Sequence, residues 1–126
     1  METLIGTWRL IKEEAWGVDG APRPPFFGAM PTGLASFNAE GRMMAVLSDG
    51  SAAAPGARRY VSYCGAFTFD GKQLVTQVDG ASEDRLLAEP QVRSASFADG
   101  ILTLRPPVRV VDGEAITRAL HWEKLA

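Results

Sequence analysis

Leu4-Ile5-Gly6-Thr7-Trp8-Arg9-Leu10, near the start of the chain, is answered at its end by Leu120-His121-Trp122-Glu123-Lys124. Side chains of a strand point alternately to its two faces. On that alternation Leu4, Gly6, Trp8 and Leu10 share one face of the first stretch. Leu120, Trp122 and Lys124 share one face of the last. The two stretches are expected to pair and close a β-barrel, with the residues between them forming its wall.

The intervening sequence is punctuated by acidic-Gly pairs: Asp19-Gly20, Glu40-Gly41, Asp49-Gly50, Asp70-Gly71, Asp79-Gly80, Asp99-Gly100 and Asp112-Gly113. Asp-Gly between apolar runs signals a hairpin, because both residues tolerate positive φ. The runs between these marks are short and often alternating, and none holds a 3.6-residue apolar period. They predict eight strands, at about 4–16, 33–39, 42–48, 59–70, 72–79, 90–98, 100–111 and 114–124. Pro106-Pro107 must kink or interrupt the seventh, since proline gives the ladder no donor. Segment 17–32, with Pro22, Pro24, Pro25 and Pro31, is too proline-rich for a central strand and is expected to fold over one barrel mouth. Segment 49–58, with Ala52-Ala53-Ala54-Pro55-Gly56, reads as a shorter loop or a helical turn. Consecutive hairpins without a long crossover favour an all-β, eight-stranded antiparallel up-and-down barrel over a sandwich. Residues 1–126 make one domain at this length.

Composition narrows the partners. The chain of 126 residues carries a net charge of −2. That argues against a nucleic-acid binder, which normally has a basic face, and against an electrostatic membrane anchor. Cys64 is the only cysteine, so no internal disulfide can form. Gly6, Thr7 and Arg9 interrupt Leu4-Ile5 too early for a signal-peptide core, and no apolar run approaches a membrane span. A cytoplasmic protein is expected. With His121 the only histidine, the chain has no His-rich metal site, and no metal or cofactor motif is present.

On the inner parity the first strand carries Trp8, Leu10, Lys12, Glu14 and Trp16, and the fourth carries Val61, Tyr63, Gly65, Phe67 and Phe69. The fifth carries Leu74, Thr76 and Val78, the sixth Arg93, Ala95 and Phe97, and the last Ile116, Arg118, Leu120, Trp122 and Lys124. Charges on an apolar face are costly unless paired, although side chains at strand ends can reach water. Arg93 and Arg118 lie mid-strand. With both pointing inward the cavity is electropositive, offset by Glu14 alone, and suits an anionic or enolisable ligand.

The opening stretch resembles the small bacterial and fungal lipocalin-like domain family, whose Gly-x-Trp element is shared with lipocalins at large. Further resemblances run in order through the chain. They are Gly33, Phe37 and Glu40-Gly41-Arg42-Met43; Tyr60-Val61-Ser62-Tyr63-Cys64-Gly65-Ala66-Phe67; Gln91-Val92-Arg93; Gly100-Ile101-Leu102-Thr103-Leu104; and the closing Leu120–Lys124 segment. The resemblance implies an up-and-down barrel with a cavity. It also implies that Lys124 covers Trp8, where arginine is more usual. Members often carry a His pair where this chain has Thr76-Gln77, so a proton transfer relying on that histidine is unavailable here.

Three functions compete at this stage. The first is binding of a small, largely apolar molecule, with Trp16, Phe26, Phe27, Met30, Phe37, Met43, Phe67 and Thr76 as wall and Arg93 and Arg118 as polar anchors. The second is a cofactor-independent isomerase, cyclase or dehydratase, with Glu14 as general base and Tyr63 and Arg93 stabilising an oxyanion. The third is a barrel with a filled core that docks a partner, favoured by a cavity below about 100 Å³ because small-molecule pockets usually run about 300–1,000 Å³. Outward Ile5, Ile11 and Val75 permit a homodimer.

Overall fold

The computed structural model describes residues 3–51 and 59–126. Most of the expected 49–58 loop, including Ala52–Gly56 and Arg58, lies outside them. The strands are β1 (Gly6–Trp16), β2 (Pro31–Phe37), β3 (Arg42–Asp49), β4 (Tyr60–Phe69), β5 (Gln73–Ala81), β6 (Gln91–Ala98), β7 (Ile101–Arg105), β8 (Arg109–Val111) and β9 (Glu114–Lys124). A single helical turn, α1 (Asp84–Leu87), stands between β5 and β6. The sheet order β1-β2-β3-β4-β5-β6-β7-β9, closed by β1 against β9, is an eight-stranded antiparallel barrel; β8 adds to the far side of β9. Trp8 faces Lys124 and Leu10 faces Trp122 across the closing seam.

The two ends of the barrel differ. At one end the connections are tight turns at Gly41, Gly71 and Gly100, all with positive φ. At the other end run longer connections, among them the proline-rich segment, α1 and the 106–113 excursion. Asp79-Gly80, expected as a turn, instead lies inside β5, where the β4–β5 register shifts between Cys64 and Gly65. Pro106-Pro107 does interrupt the seventh strand. The chain resumes as β8, which pairs Arg109–Val111 with Glu114–Ile116 in a hairpin beyond the barrel wall.

The closed end is packed with Leu4, Trp8, Phe37, Leu74 and Leu102, and Phe67, Phe69 and Phe97 pack against them. Phe37 meets Phe67 edge-on at 5.2 Å. Gly6 has φ +134°, and a Cβ there would sit 2.4 Å from the Ala126 carbonyl oxygen. Only glycine lets the last residues pass so close. Lys124 Nζ then reaches over the Trp8 ring at 5.6 Å.

One expectation about β1 is overturned. The β1–β9 register slips between Leu10 and Lys12, leaving Ile11 as the extra residue of a β-bulge. A bulge shifts the alternation by one place. Glu13 and Ala15 are therefore buried, whereas Lys12, Glu14 and Trp16 leave the inner face. On the outer wall Ile5 and Ile11 are exposed and Val75 is half-buried. No helix among the described residues is long and apolar enough to cross a membrane.

Candidate functional site

A cavity of about 70 Å³ lies under the long connections at the open end of the barrel. Its lining draws on almost every part of the fold. Phe26 and Phe27 come from the proline-rich segment, Tyr63 from β4, Arg85 and Leu86 from α1, Arg93 from β6, and Arg118 and Trp122 from β9. Most of the barrel interior among the described residues is packed with apolar side chains.

The buried polar centre is Glu13. One carboxylate oxygen accepts a hydrogen bond from the Phe27 backbone N–H at 2.8 Å. The other accepts from Arg118, Nε at 2.9 Å and Nη2 at 2.8 Å. The bulge, the proline-rich segment and β9 are thus tied at one point. Glu13 has no exposed side-chain surface, so the pair is a buried one. Both its oxygens are engaged, so neither faces the cavity free of a protein donor.

Arg93 is differently placed. It donates to the Val92 carbonyl oxygen at 2.9 Å and to Gln91 Oε1 at 3.0 Å, and meets no carboxylate among the described residues. Burial pulls its pKa below the ordinary arginine value, and the nearby Arg118 and Arg85 charges push the same way. Trp122 Nε1 is also buried, and no acceptor among the described residues meets it. The polar groups of this lining are therefore largely donors, and Trp122 Nε1 is the buried one left without an acceptor among the described residues.

The residues expected to form a site divide by position. Phe26, Phe27, Tyr63, Arg93 and Arg118 come together at the cavity. Phe37, Met43, Phe67 and Thr76 face inward but belong to the packed barrel interior and do not line it. Met30 is 65% exposed, and Trp16 pairs with Thr117 and bridges to Pro22. Glu14 lies outside the barrel. It accepts a hydrogen bond from, or shares a proton with, His121 Nε2 at 2.7 Å, and its other oxygen lies 3.6 Å from Lys12 Nζ. The His121 contact, with help from Lys12, holds the Glu14 carboxyl below its usual range. His121 Nδ1 meets Thr103 Oγ1 at 2.9 Å. The electropositive cavity is thus offset by Glu13, not by Glu14. The adjacent apolar pair Leu10-Ile11 was the available sign that the alternation changes phase. Nothing in the local sequence announced α1, which brings Arg85 to the cavity.

The pattern describing the lipocalin-like domain matches residues 5–125. The chain belongs to the lipocalin-like domain family. No curated protein and no solved structure matches it. Within the lipocalin-like barrel the Gly6-x-Trp8 element and Lys124 form the closed floor, and the cavity sits at the opposite end. A lipocalin-like barrel suggests ligand binding in general terms, and the mouth-end cavity is where this chain leaves room for it.

Proposed function

We propose that this lipocalin-like barrel binds a small, largely apolar molecule by an anionic group, which enters the mouth-end cavity first and is held by Arg93. The observation that carries this reading is the Arg93 guanidinium, part-buried in the cavity lining, hydrogen-bonded to neutral groups and without a carboxylate partner among the described residues. A desolvated cation without a counter-ion costs stability. An entering carboxylate or enolate would offset that cost through charge-assisted hydrogen bonds. The cavity, at about 70 Å³, is small beside the usual range of about 300–1,000 Å³ for a small-molecule pocket, which suits an acid head group and not the whole ligand. The apolar remainder would lie outward, against Phe26. Catalysis at the same place would rest on Tyr63 and Arg93, because Glu13 is saturated and Glu14 lies outside.

The small volume favours the filled-barrel, partner-docking reading, and the charge of the lining favours the ligand. Native mass spectrometry of the purified protein should reveal a co-purifying acid. Titration with hexanoate, octanoate, benzoate and phenylacetate should find binding that Arg93→Gln weakens by about tenfold or more. Equal affinity in the variant would defeat the anion reading and leave the filled barrel. The unpaired Cys64 fits a reducing, cytoplasmic setting.

A further inference from the structure

Arg118 is one of several guanidinium groups gathered above the cavity. Arg59 lies over the Phe26 ring at 3.8 Å from its centroid, Arg118 at 5.0 Å and Arg109 at 5.1 Å. Arg85 and Arg93 line the cavity beneath. Two carboxylates answer these five cations: Glu13 binds Arg118 at 2.8 Å and Glu83 binds Arg85 at 2.5 Å. Arg59, Arg93 and Arg109 therefore have no ion-pair partner among the described residues.

The gathering follows from the fold. Arg109 reaches the mouth because Pro106-Pro107 ends β7 and the chain returns as β8 over the barrel rim. Arg59 immediately precedes β4 at the same end. A phenyl face attracts one cation well, but three around one ring repel each other. Arg109 feels that repulsion: burial, then Arg85, Arg118 and Arg59, lower its pKa. A packed core has no use for such an arrangement. An anion seated between Arg59 and Arg109 would relieve it.

We infer that the mouth holds a second anion subsite, formed by Arg59 and Arg109 at the Phe26 ring, so that the ligand is a dicarboxylate with an apolar spacer. This rests on the proposed seating of a first carboxylate at Arg93. One acid group occupies the small cavity, the spacer runs past Phe26, and the second acid group stays at the rim. The class is distinct from a fatty acid or a simple aryl acid, whose outer end would leave the rim cations unanswered.

The test uses straight-chain α,ω-dicarboxylates of increasing length and the monomethyl ester of each, titrated into the full chain by calorimetry. At a matching spacer length the diacid should bind about tenfold or more tighter than its half-ester. In the Arg59→Gln/Arg109→Gln double variant that advantage should vanish, with half-ester affinity falling much less than diacid affinity. Arg93→Gln should weaken both ligands. A half-ester that binds as tightly as the diacid at every length overturns the second subsite and leaves the first intact. So does an advantage that survives the double variant. Failure of both ligands to bind at any length, or affinity for both unchanged in Arg93→Gln, overturns this inference together with the reading beneath it. A melting curve for each variant confirms that it is folded before titration.

Discussion

At the scale of single residues, Arg93 and Glu13 respond oppositely to removal. Arg93 is part-buried and meets no carboxylate among the described residues, so Arg93→Met should raise stability by about 1 kcal/mol while abolishing carboxylate binding. Chemical denaturation beside a titration would expose the trade, and a variant that lost stability would contradict it. Glu13 anchors both Arg118 and the Phe27 N–H. Glu13→Gln keeps an acceptor for Phe27 but strands Arg118, and should cost about 2 kcal/mol. Glu14 makes its contribution outside the barrel. Because His121 lowers its folded pKa from 4.5, its stabilisation is complete above that value and fades as pH falls through the lower folded one. The denaturation midpoints of wild type and Glu14→Gln should therefore differ at about pH 6 and converge toward about pH 3. A gap that stays constant would show that the carboxylate contributes no charge-dependent stability. These residues also mark how far the sequence could be read. Arg93 and Arg118 were legible because plain alternation carries β6 and β9. Glu13 was misplaced, and Glu14 with it, because one bulged residue reverses the facing of everything after it.

At the scale of elements, the bulge makes its own prediction. Leu10 pairs with Trp122 and Lys12 with His121, so deletion of Ile11 would leave a continuous register with Glu13 still inward. The deletion should fold with the Glu13–Arg118 pair retained, at a stability cost of about 1 kcal/mol or less. Loss of the fold, or solvent exchange of the Phe27 amide as fast as in an unprotected loop, would mean that the bulge's local twist is needed to aim Glu13. The other elements were legible to different degrees. Turns at Gly41, Gly71, Gly100 and Gly113 follow from acidic-Gly chemistry and positive φ. Asp79-Gly80 carries the same letters inside a strand, because there Asp79 is the extra residue where the β4–β5 register shifts. The helical turn α1 has four residues and no side-chain cap. Too short to hold itself by local propensity, it depends on Leu86 being buried, which no local pattern reveals.

At the scale of the molecule, charge is unevenly spread. The net charge is −2, yet guanidinium groups without an ion-pair partner among the described residues collect at one mouth. That field should draw an anionic ligand inward and be screened by salt within about 8–10 Å at ordinary ionic strength. Stopped-flow association of an alkyl dicarboxylate should slow as salt rises, while that of its diester should hardly change; parallel salt responses would deny the mouth any steering role. The barrel's closure has a different kind of consequence. Thr7 exchanges backbone hydrogen bonds with Ala126, so the start of β1 and the residues just after β9 meet at the floor, away from the cavity. Covalent order and spatial order are therefore separable in this molecule. A circular permutant that links Ala126 back to Thr3 and starts anew at Gly71 would keep every rung of the barrel and leave the mouth undisturbed.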